Sequence, residues 1–194
     1  MNGAWYTGKI AVDIDKLNNL LDRVGNKDKA AFEEIYNEYC KKIKWTIFNV
    51  VKDWFYVEDI LDEVFIKIWN NAHKLKIKKS PDAWIHLVAK HTALDFYKVH
   101  IKKHKKCIEF EEVSHKELKF VSYTQNFHHL ELATLLQSLD DIDREIIILK
   151  IVYDFTHKEI AEQMKIPLGT ILWRYQRSIH KIEEEITAEK KVLI

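Results

Sequence analysis

The sequence contains few of the residues that interrupt helices. Its 194 residues include 4 glycines and 2 prolines. A fold rich in β-strands and tight turns normally needs more of both, because glycine and proline supply the backbone angles that turns require. Their scarcity favours long helices with short connections. We therefore predict an all-α protein.

Cysteine clusters and long apolar runs are also missing. The two cysteines, Cys40 and Cys107, lie far apart and lack the spacing of metal ligands or of a disulfide framework. No apolar run approaches the ~20 residues that a membrane-spanning helix needs, and the first residues do not resemble a secretory signal peptide. We expect a cytoplasmic protein with reduced thiols and no membrane insertion.

The overall charge does not indicate a nucleic-acid partner, because the net charge is only +1. The distribution of charge along the chain is more informative, since residues 58–63 are mostly acidic and residues 98–106 are mostly basic. Lysines at the density of the second tract neutralise phosphates, although a solvated helix end is the alternative interpretation. His100 and His104 have a metal-compatible spacing, but no carboxylate or thiol completes a ligand set. We predict neither a metal nor another cofactor.

Apolar periodicity divides the chain into two helical domains joined by a flexible linker. The N-terminal domain covers residues 1–106 and the linker residues 107–128, where periodicity is poor and Ser, Thr, Gln and Asn are frequent. The C-terminal domain covers residues 129–194. Predicted N-terminal helices begin near residues 17, 28, 57 and 81, and the first twenty-five residues receive no assigned role. The apolar face of the helix after Pro81 is predicted to contain Trp84, Leu87, Val88, Leu94 and Phe96.

The acidic face of the helix at 57–71 admits three interpretations. Its carboxylates, Glu58, Asp59, Asp62 and Glu63, could perform acid–base chemistry, but no neighbouring residues supply a pocket or partners for catalysis. The face could instead be solvated, or it could bind a basic partner protein. We predict that the chain is not an enzyme.

Residues 156–182 have the pattern of a helix-turn-helix. Thr156 and Glu159 form a capping-box sequence, and Pro167 fits the start of a second helix. The second helix carries Ile171 and Tyr175 on its predicted inner face. Such a unit places its second helix in the major groove of DNA. An ordinary pair of packed helices is the alternative interpretation.

Four segments, in this order, resemble one family. They are AFEEIYNEYCKKI (31–43), VEDILDEVFIKIW (57–69), DAWIHLVAKHTALDFYK (82–98) and the helix-turn-helix. This arrangement, from about residue 28 to 186, resembles the extracytoplasmic-function sigma factors of the sigma-70 family. The resemblance implies that the N-terminal domain is sigma region 2, which binds core RNA polymerase and the −10 element. It likewise implies that the C-terminal domain is sigma region 4, which binds the −35 element.

The resemblance also implies roles for individual residues in DNA-templated transcription initiation. The residues expected to bind core polymerase, through its β′ clamp helices, are Asp59, Asp62, Glu63, Phe65 and Trp69. Those expected to bind −10 DNA are Lys76, Lys78, Lys79, Lys90, His91, Asp95, Lys98 and Lys102. Those expected to bind −35 DNA are Pro167, Thr170, Leu172, Trp173, Arg174, Arg177 and Lys181. Further expected partners are the β flap of polymerase and an anti-sigma factor.

The sequence departs from the family pattern at several positions. Lys90-His91 replaces the usual Arg-Asn pair, and Lys165 replaces the usual glycine of the turn. Leu172 and Trp173 stand where a basic residue and a small hydroxyl residue are usual, so we expect an atypical −35 preference richer in A·T contacts. The alternative functions are a helix-turn-helix regulator that never binds polymerase and a helical interaction protein whose basic tract is merely solvated.

Overall fold

The computed structural model describes residues 14–74, 80–101, 135–136 and 138–192, and all regular structure within those ranges is helical. The predicted all-α class is therefore confirmed. The α-helices are α1 (Ile14–Gly25), α2 (Lys29–Val51), α3 (Val57–Asn71), α4 (Pro81–Phe96), α5 (Asp141–Ile147), α6 (His157–Met164) and α7 (Leu168–Val192). Short 3₁₀ turns flank α3 at Trp54–Tyr56 and Ala72–Lys74, and π-helical turns extend α4 (Tyr97–Ile101) and α5 (Ile148–Val152). Within these ranges, no helix is long and apolar enough to cross a membrane.

Helices α1 to α4 form the N-terminal bundle, with α2 at its centre. Asp28 caps α2, since its carboxylate accepts hydrogen bonds from the backbone N–H groups of Ala30 and Ala31 at 2.9 and 3.2 Å. The hydrogen bond from Ala31 is the main reason that the pKa of Asp28 is lowered. Lys52 ends the helix in the left-handed conformation, with φ 59°. The core positions of α2 that are fully buried recur at helical spacing and include Ile35, Tyr39, Ile43 and Ile47.

Helix α1 completes the core of this bundle, a role that the sequence alone did not assign. Its Leu17, Leu20, Leu21 and Val24 are buried. Gly25 ends the helix where a Cβ atom would lie 2.9 Å from the Cα atom of His73. The absence of a side chain therefore lets the end of α1 approach the turn after α3.

Helix α4 buries a different face from the predicted one. Its buried residues are Pro81, Asp82, Ile85, His86, Ala89, Thr92 and Ala93. Trp84, Val88, Leu94 and Phe96 are half-buried, and Leu87 is 37% exposed. The prediction was wrong because it followed the largest apolar side chains, whereas small residues let α4 approach α2 and α3 closely. Pro81 occupies the first turn as predicted, but the Ser80 side chain makes no capping hydrogen bond.

A buried polar pair joins α2 to α4. The Tyr39 hydroxyl donates a hydrogen bond to the Asp82 carboxylate, and both side chains are buried. Burial raises the pKa of both groups. The pair satisfies two polar groups that would each be costly to bury alone.

Helices α5 to α7 form the C-terminal bundle. Ile146 and Ile147 of α5 and Leu149 of the following π turn pack in its core, together with Ile160 of α6 and Ile171 of α7. Helices α5 and α6 are short, so each depends on packing against its neighbours for stability. The bundle holds α7, the longest of the described helices, against both of them.

Candidate nucleic-acid and protein interfaces

The acidic face of α3 is exposed as the periodicity predicted. Val57, Ile60, Leu61, Val64 and Ile68 turn inward, which leaves the four carboxylates of 58–63 in solvent. Glu63 pairs with Lys67 at 2.8 Å, and Glu58 pairs with Lys44 at 2.5 Å. Neither Asp59 nor Asp62 has an ion-pair partner within the described part of the chain. These two carboxylates are available to a basic partner.

Apolar residues beside the carboxylates differ in their accessibility. Ile66 is 59% exposed and Trp69 is half-buried. Phe65 is only 3% exposed, with its ring centroid 5.9 Å from that of Phe32. At this depth the Phe65 side chain supports the surface from below, and its assignment to polymerase binding stays a prediction. Tyr36, whose ring lies 4.6 Å from Phe65, reaches the surface instead and is 38% exposed.

A cleft of about 390 Å³ lies between α3 and α4. Lys67, Asn71 and Lys74 line one wall, while Trp84 and His91 belong to the other. One turn of α4 separates its successive lining residues, so they share a helix face. A half-buried indole beside cationic and amide groups can accept an unpaired base by stacking and hydrogen bonding. Of the −10 residues predicted from the sequence, only His91 lines this cleft.

The other predicted −10 residues are dispersed. Lys76, Lys78, Lys79 and Lys102 lie outside the described residues. Lys98 is 68% exposed and lies 3.8 Å from the Asp95 carboxylate. Lys90 extends away from the cleft to the Glu145 carboxylate of α5, at 2.6 Å. The structure therefore brings His91 to the cleft and engages Lys90 in a contact between the two bundles.

The helix-turn-helix forms with the predicted local chemistry. The Thr156 hydroxyl accepts the Glu159 backbone N–H at 3.2 Å, and the Glu159 carboxylate accepts the Thr156 backbone N–H at 2.8 Å. This reciprocal capping box starts α6. Lys165 ends α6 in the left-handed conformation, with φ 57°, which is the conformation that glycine usually supplies at a helix end. Pro167 precedes α7, and its carbonyl accepts the first hydrogen bonds of that helix.

The first turns of α7 present an unusual surface. Thr170 is exposed, Leu172 is 39% exposed and Trp173 is 57% exposed, with Ile171 buried between them. Gly169 is surrounded by open space. The helix start can therefore approach another molecule closely, and its exposed groups are mainly apolar.

Three basic residues of α7, namely Arg174, Arg177 and Lys181, bind partners within the chain itself. Arg174 and Arg177 both form ion pairs with Asp143 of α5, at 2.6 and 2.5 Å. The Lys181 ammonium donates a hydrogen bond to the Ser138 carbonyl. Three residues assigned to −35 DNA thus have partners within the C-terminal bundle, a feature that sequence reasoning did not anticipate.

Polar side chains connect the two bundles. Thr46 and Tyr153 share a hydrogen bond at 2.9 Å, and Gln163 bonds Nδ1 of His86 at 2.8 Å. The Glu145 carboxylate accepts hydrogen bonds from Asn49 at 3.3 Å and from Lys90. Burial is the main cause that lowers the pKa of His86 to about 3. Nothing in the local pattern marked these residues, because each looks like an isolated polar position on an amphipathic helix.

Metal-binding clusters are not found in the described residues. No group of three His, Cys, Asp or Glu side chains in these ranges is arranged to hold a metal ion. Cys40 is a half-buried free thiol. The surfaces described above are suited to macromolecular binding.

Family models match most of the chain. The model of sigma-70 region 2 matches residues 35–105, and that of sigma-70 region 4 matches residues 129–181. Among curated relatives, the ECF RNA polymerase sigma factor SigX of Bacillus subtilis (strain 168) is 20% identical, with 84% of this chain and 87% of SigX covered. The ECF RNA polymerase sigma factor SigK of Mycobacterium bovis is 23% identical, with 86% and 91% covered.

Solved structures have the same fold. CnrH in complex with the cytosolic domain of CnrY has a TM-score of 0.61 at 15% identity, covering 90% of this chain and 99% of that one. The sigma factor RpoE in complex with the anti-sigma factor NepR, from Bartonella quintana, has a TM-score of 0.62 at 17% identity, covering 82% and 98%. Together with the two family models in their order along the chain, these likenesses agree with the resemblance carried by the sequence motifs. The chain belongs to the sigma-70 family and is a sigma factor of the extracytoplasmic-function type.

Proposed function

We propose that this chain is a dissociable subunit of bacterial RNA polymerase that recognises promoters through two separate surfaces. The observation that carries the proposal is the combination of an exposed acidic face on α3, where Asp59 and Asp62 have no ion-pair partner among the described residues, with the exposed start of α7. A DNA-binding regulator needs the second surface but has no use for the first. The chain would act in the cytoplasm with polymerase and would supply no catalytic group, because the polymerase performs the chemistry.

The acidic face is proposed to bind the β′ clamp helices of core polymerase. Asp59 and Asp62 provide unpaired charge, and Glu63 adds a third exposed carboxylate. Ile66 and Trp69 provide adjacent apolar surface, which supplies the desolvated part of an interface that charge alone would not. Complementary charge accelerates association and orients the partners.

The α3–α4 cleft is proposed to receive an unpaired base of the melted −10 element. Trp84 offers a stacking face, and His91 and Lys67 offer hydrogen-bond donors around it. His91 is accordingly the strongest −10 candidate among the described residues. The predicted −10 lysines outside the cleft, Lys98 among them, are proposed to lie along the DNA backbone, and Asp95 is proposed to orient Lys98, whose ammonium lies 3.8 Å from its carboxylate.

The start of α7 is proposed to lie in the major groove at the −35 element. Leu172 and Trp173 can contact thymine methyl groups but cannot form the bidentate hydrogen bonds that select guanine. Thr170 is placed beside them and can bond to either base edges or phosphates. This composition supports an upstream box richer in A·T pairs.

A regulatory partner is also proposed. CnrH and the Bartonella quintana RpoE were each solved with a bound partner, CnrY and the anti-sigma factor NepR respectively. By analogy, an anti-sigma factor would hold this chain inactive. The β flap of polymerase is a further proposed contact of the C-terminal bundle.

Two measurements test the proposed function. The purified full chain should be retained by core polymerase in a pull-down, and the resulting holoenzyme should give run-off transcripts from selected promoters. Footprinting of that holoenzyme should protect two boxes of different sequence. Inverted half-sites bound by the chain alone, without retention by core polymerase, would favour the helix-turn-helix regulator. Neither DNA binding nor retention would favour the helical interaction protein.

A further inference from the structure

Two arginines of α7 bind the same buried carboxylate. Arg174 Nη1 lies 2.6 Å from Asp143 Oδ1, and Arg177 Nη2 lies 2.5 Å from Asp143 Oδ2. The Asp143 side chain is only 2% exposed. Asp140, which caps α5 by accepting the Asp143 backbone N–H at 2.8 Å, also lies 3.3 and 3.2 Å from the two guanidinium groups.

The geometry of this cluster makes it a fixed joint between α5 and α7. A carboxylate withdrawn from water is stable only when cations and hydrogen bonds satisfy it, and here each oxygen of Asp143 has its own arginine. Moving both arginines onto DNA would leave Asp143 buried without a cation. The hydrogen bond to Asp143 is the main cause that raises the pKa of Arg174, which agrees with a tightly held pair.

The same cluster acts on the exposed surface of α7. The guanidinium carbon of Arg177 lies 5.0 Å from the centre of the Trp173 ring, so the arginine that binds Asp143 also supports that indole. Trp173 is 57% exposed on the side that the proposed function assigns to DNA. The joint therefore fixes both the helix and one of its principal exposed side chains.

We propose that Asp143 is a positioning residue for promoter recognition, which holds Arg174 and Arg177 away from the bases and leaves base reading to Thr170, Leu172 and Trp173. This inference rests on the proposed −35 function of α7. It differs from the assignment drawn from family resemblance, in which both arginines contact DNA. Selectivity at the upstream box would then depend on a carboxylate that never touches it.

Asp143→Asn tests the inference because it should increase the salt dependence of DNA binding as well as weaken the preference for an upstream box. Holoenzyme assembled from the full-length variant and core polymerase is measured on promoters randomised at the upstream box, across a salt series. Each arginine released to a phosphate should steepen the slope of log affinity against log salt by ~0.9, while preference within the box relaxes. A merely destabilised helix would not produce the steeper slope. The control is Asp154→Asn, which removes an exposed carboxylate of the same bundle and should change neither quantity.

Arg177→Ala provides a second variant. The Arg177 side chain is 49% exposed, so its removal should destabilise the fold less than a change at the buried Asp143. The inference expects the salt slope of the parent, because Arg177 contacts no phosphate there, and a relaxed preference within the box, because Trp173 loses its support. A shallower salt slope or the loss of a guanine preference at one base pair for Arg177→Ala, or an unchanged salt slope and box preference for Asp143→Asn, would overturn it while leaving the proposed function intact. A parent holoenzyme that selects no upstream box would instead refute the proposed function and this inference with it.

Discussion

The Lys90 ammonium lies 2.6 Å from the Glu145 carboxylate and joins sigma region 2 to sigma region 4. Lys90 belongs to α4, which also lines the proposed −10 cleft, and Glu145 belongs to α5. The Lys90 ammonium cannot bind Glu145 and a DNA phosphate in full at the same time. Promoter binding through Lys90 therefore competes with the contact between the two bundles.

Glu145→Gln should loosen that contact. It removes the charge paired with Lys90, and a hydrogen bond to a charged group contributes about 1.5–3 kcal/mol, reduced here because Lys90 is 32% exposed. We expect a larger radius of gyration by small-angle X-ray scattering, with unchanged helicity by circular dichroism. Glu162→Gln, on the exposed side of α6, is the matched control and should keep the parent radius. An unchanged radius for Glu145→Gln would mean that the other contacts between the bundles, including the Thr46–Tyr153 and His86–Gln163 hydrogen bonds, suffice to hold them together.

Acidification should destabilise the fold through His86. Burial, with Lys90 and His91 nearby, lowers its folded pKa to about 3 from the ordinary value of 6.5. The Glu145 carboxylate lies 3.7 Å away but is already paired with Lys90. Below pH 6.5 the unfolded chain binds a proton that the folded chain does not. This stability is therefore complete above pH 6.5 and is lost as the pH falls towards 3, at about 1.4 kcal/mol per pH unit.

Urea unfolding of the parent and of His86→Gln at pH 7.5 and 5.5 measures this contribution. The variant cannot take up the proton, and its amide can still bond to Gln163. We expect its unfolding midpoint to fall less between the two pH values than that of the parent. Equal falls would assign the pH dependence to other groups.

Reversing charge on the acidic face should abolish polymerase binding. Asp59→Lys with Asp62→Lys would set positive charge against a clamp expected to be basic, and like-charge contacts cost several kcal/mol. Loss of retention by core polymerase, with unchanged circular dichroism, is the expected result. The control is Glu162→Lys with Glu183→Lys, which makes the same charge change on exposed positions of region 4. Retention of the α3 variant at the parent level would exclude this face as the docking surface.

Leu172→Arg should shift the −35 preference towards guanine. An arginine at this exposed position can form the bidentate contact to guanine, which is worth about 1–3 kcal/mol of discrimination. Selection from a promoter library reads out the change, and core binding should stay at the parent level because it uses region 2. The same upstream box for variant and parent would show that residue 172 does not face the bases.

Lys165→Gly should stabilise the helix-turn-helix. Lys165 has φ 57°, a conformation that costs a residue with a Cβ atom about 1–2 kcal/mol of folding stability. Glycine avoids this cost, although its greater conformational freedom in the unfolded chain offsets part of the gain. A rise in the thermal unfolding midpoint is expected. Gln176→Gly, at an exposed site in the interior of α7, should lower the midpoint, since glycine in a helix interior costs about 1 kcal/mol. A lower midpoint for both variants would mean that Lys165 makes a compensating contact.

The sequence by itself determined the local structure at several candidate positions. The capping box of Thr156 and Glu159 and the exposed carboxylates of α3 were predicted correctly, and Lys165 takes the left-handed conformation at the position where the family usually has glycine. Each depends on residues within about four positions, so periodicity and hydrogen-bond chemistry suffice to find it. The domain boundaries and the roles of individual residues stay predictions.

Tertiary structure alone decided which face α4 buries and which basic side chains have carboxylate partners within the chain. On α4 the small residues Ala89 and Ala93 are buried, whereas the larger Leu87 is 37% exposed. Arg174 and Lys90 lie 31 and 55 positions from the carboxylates that bind them. A long, flexible basic side chain has the same sequence signature whether it ends on DNA, in solvent or on a buried carboxylate. The packing of α5 against α7 places Asp143 where it binds Arg174, and the packing of the two bundles against each other places Glu145 where it binds Lys90.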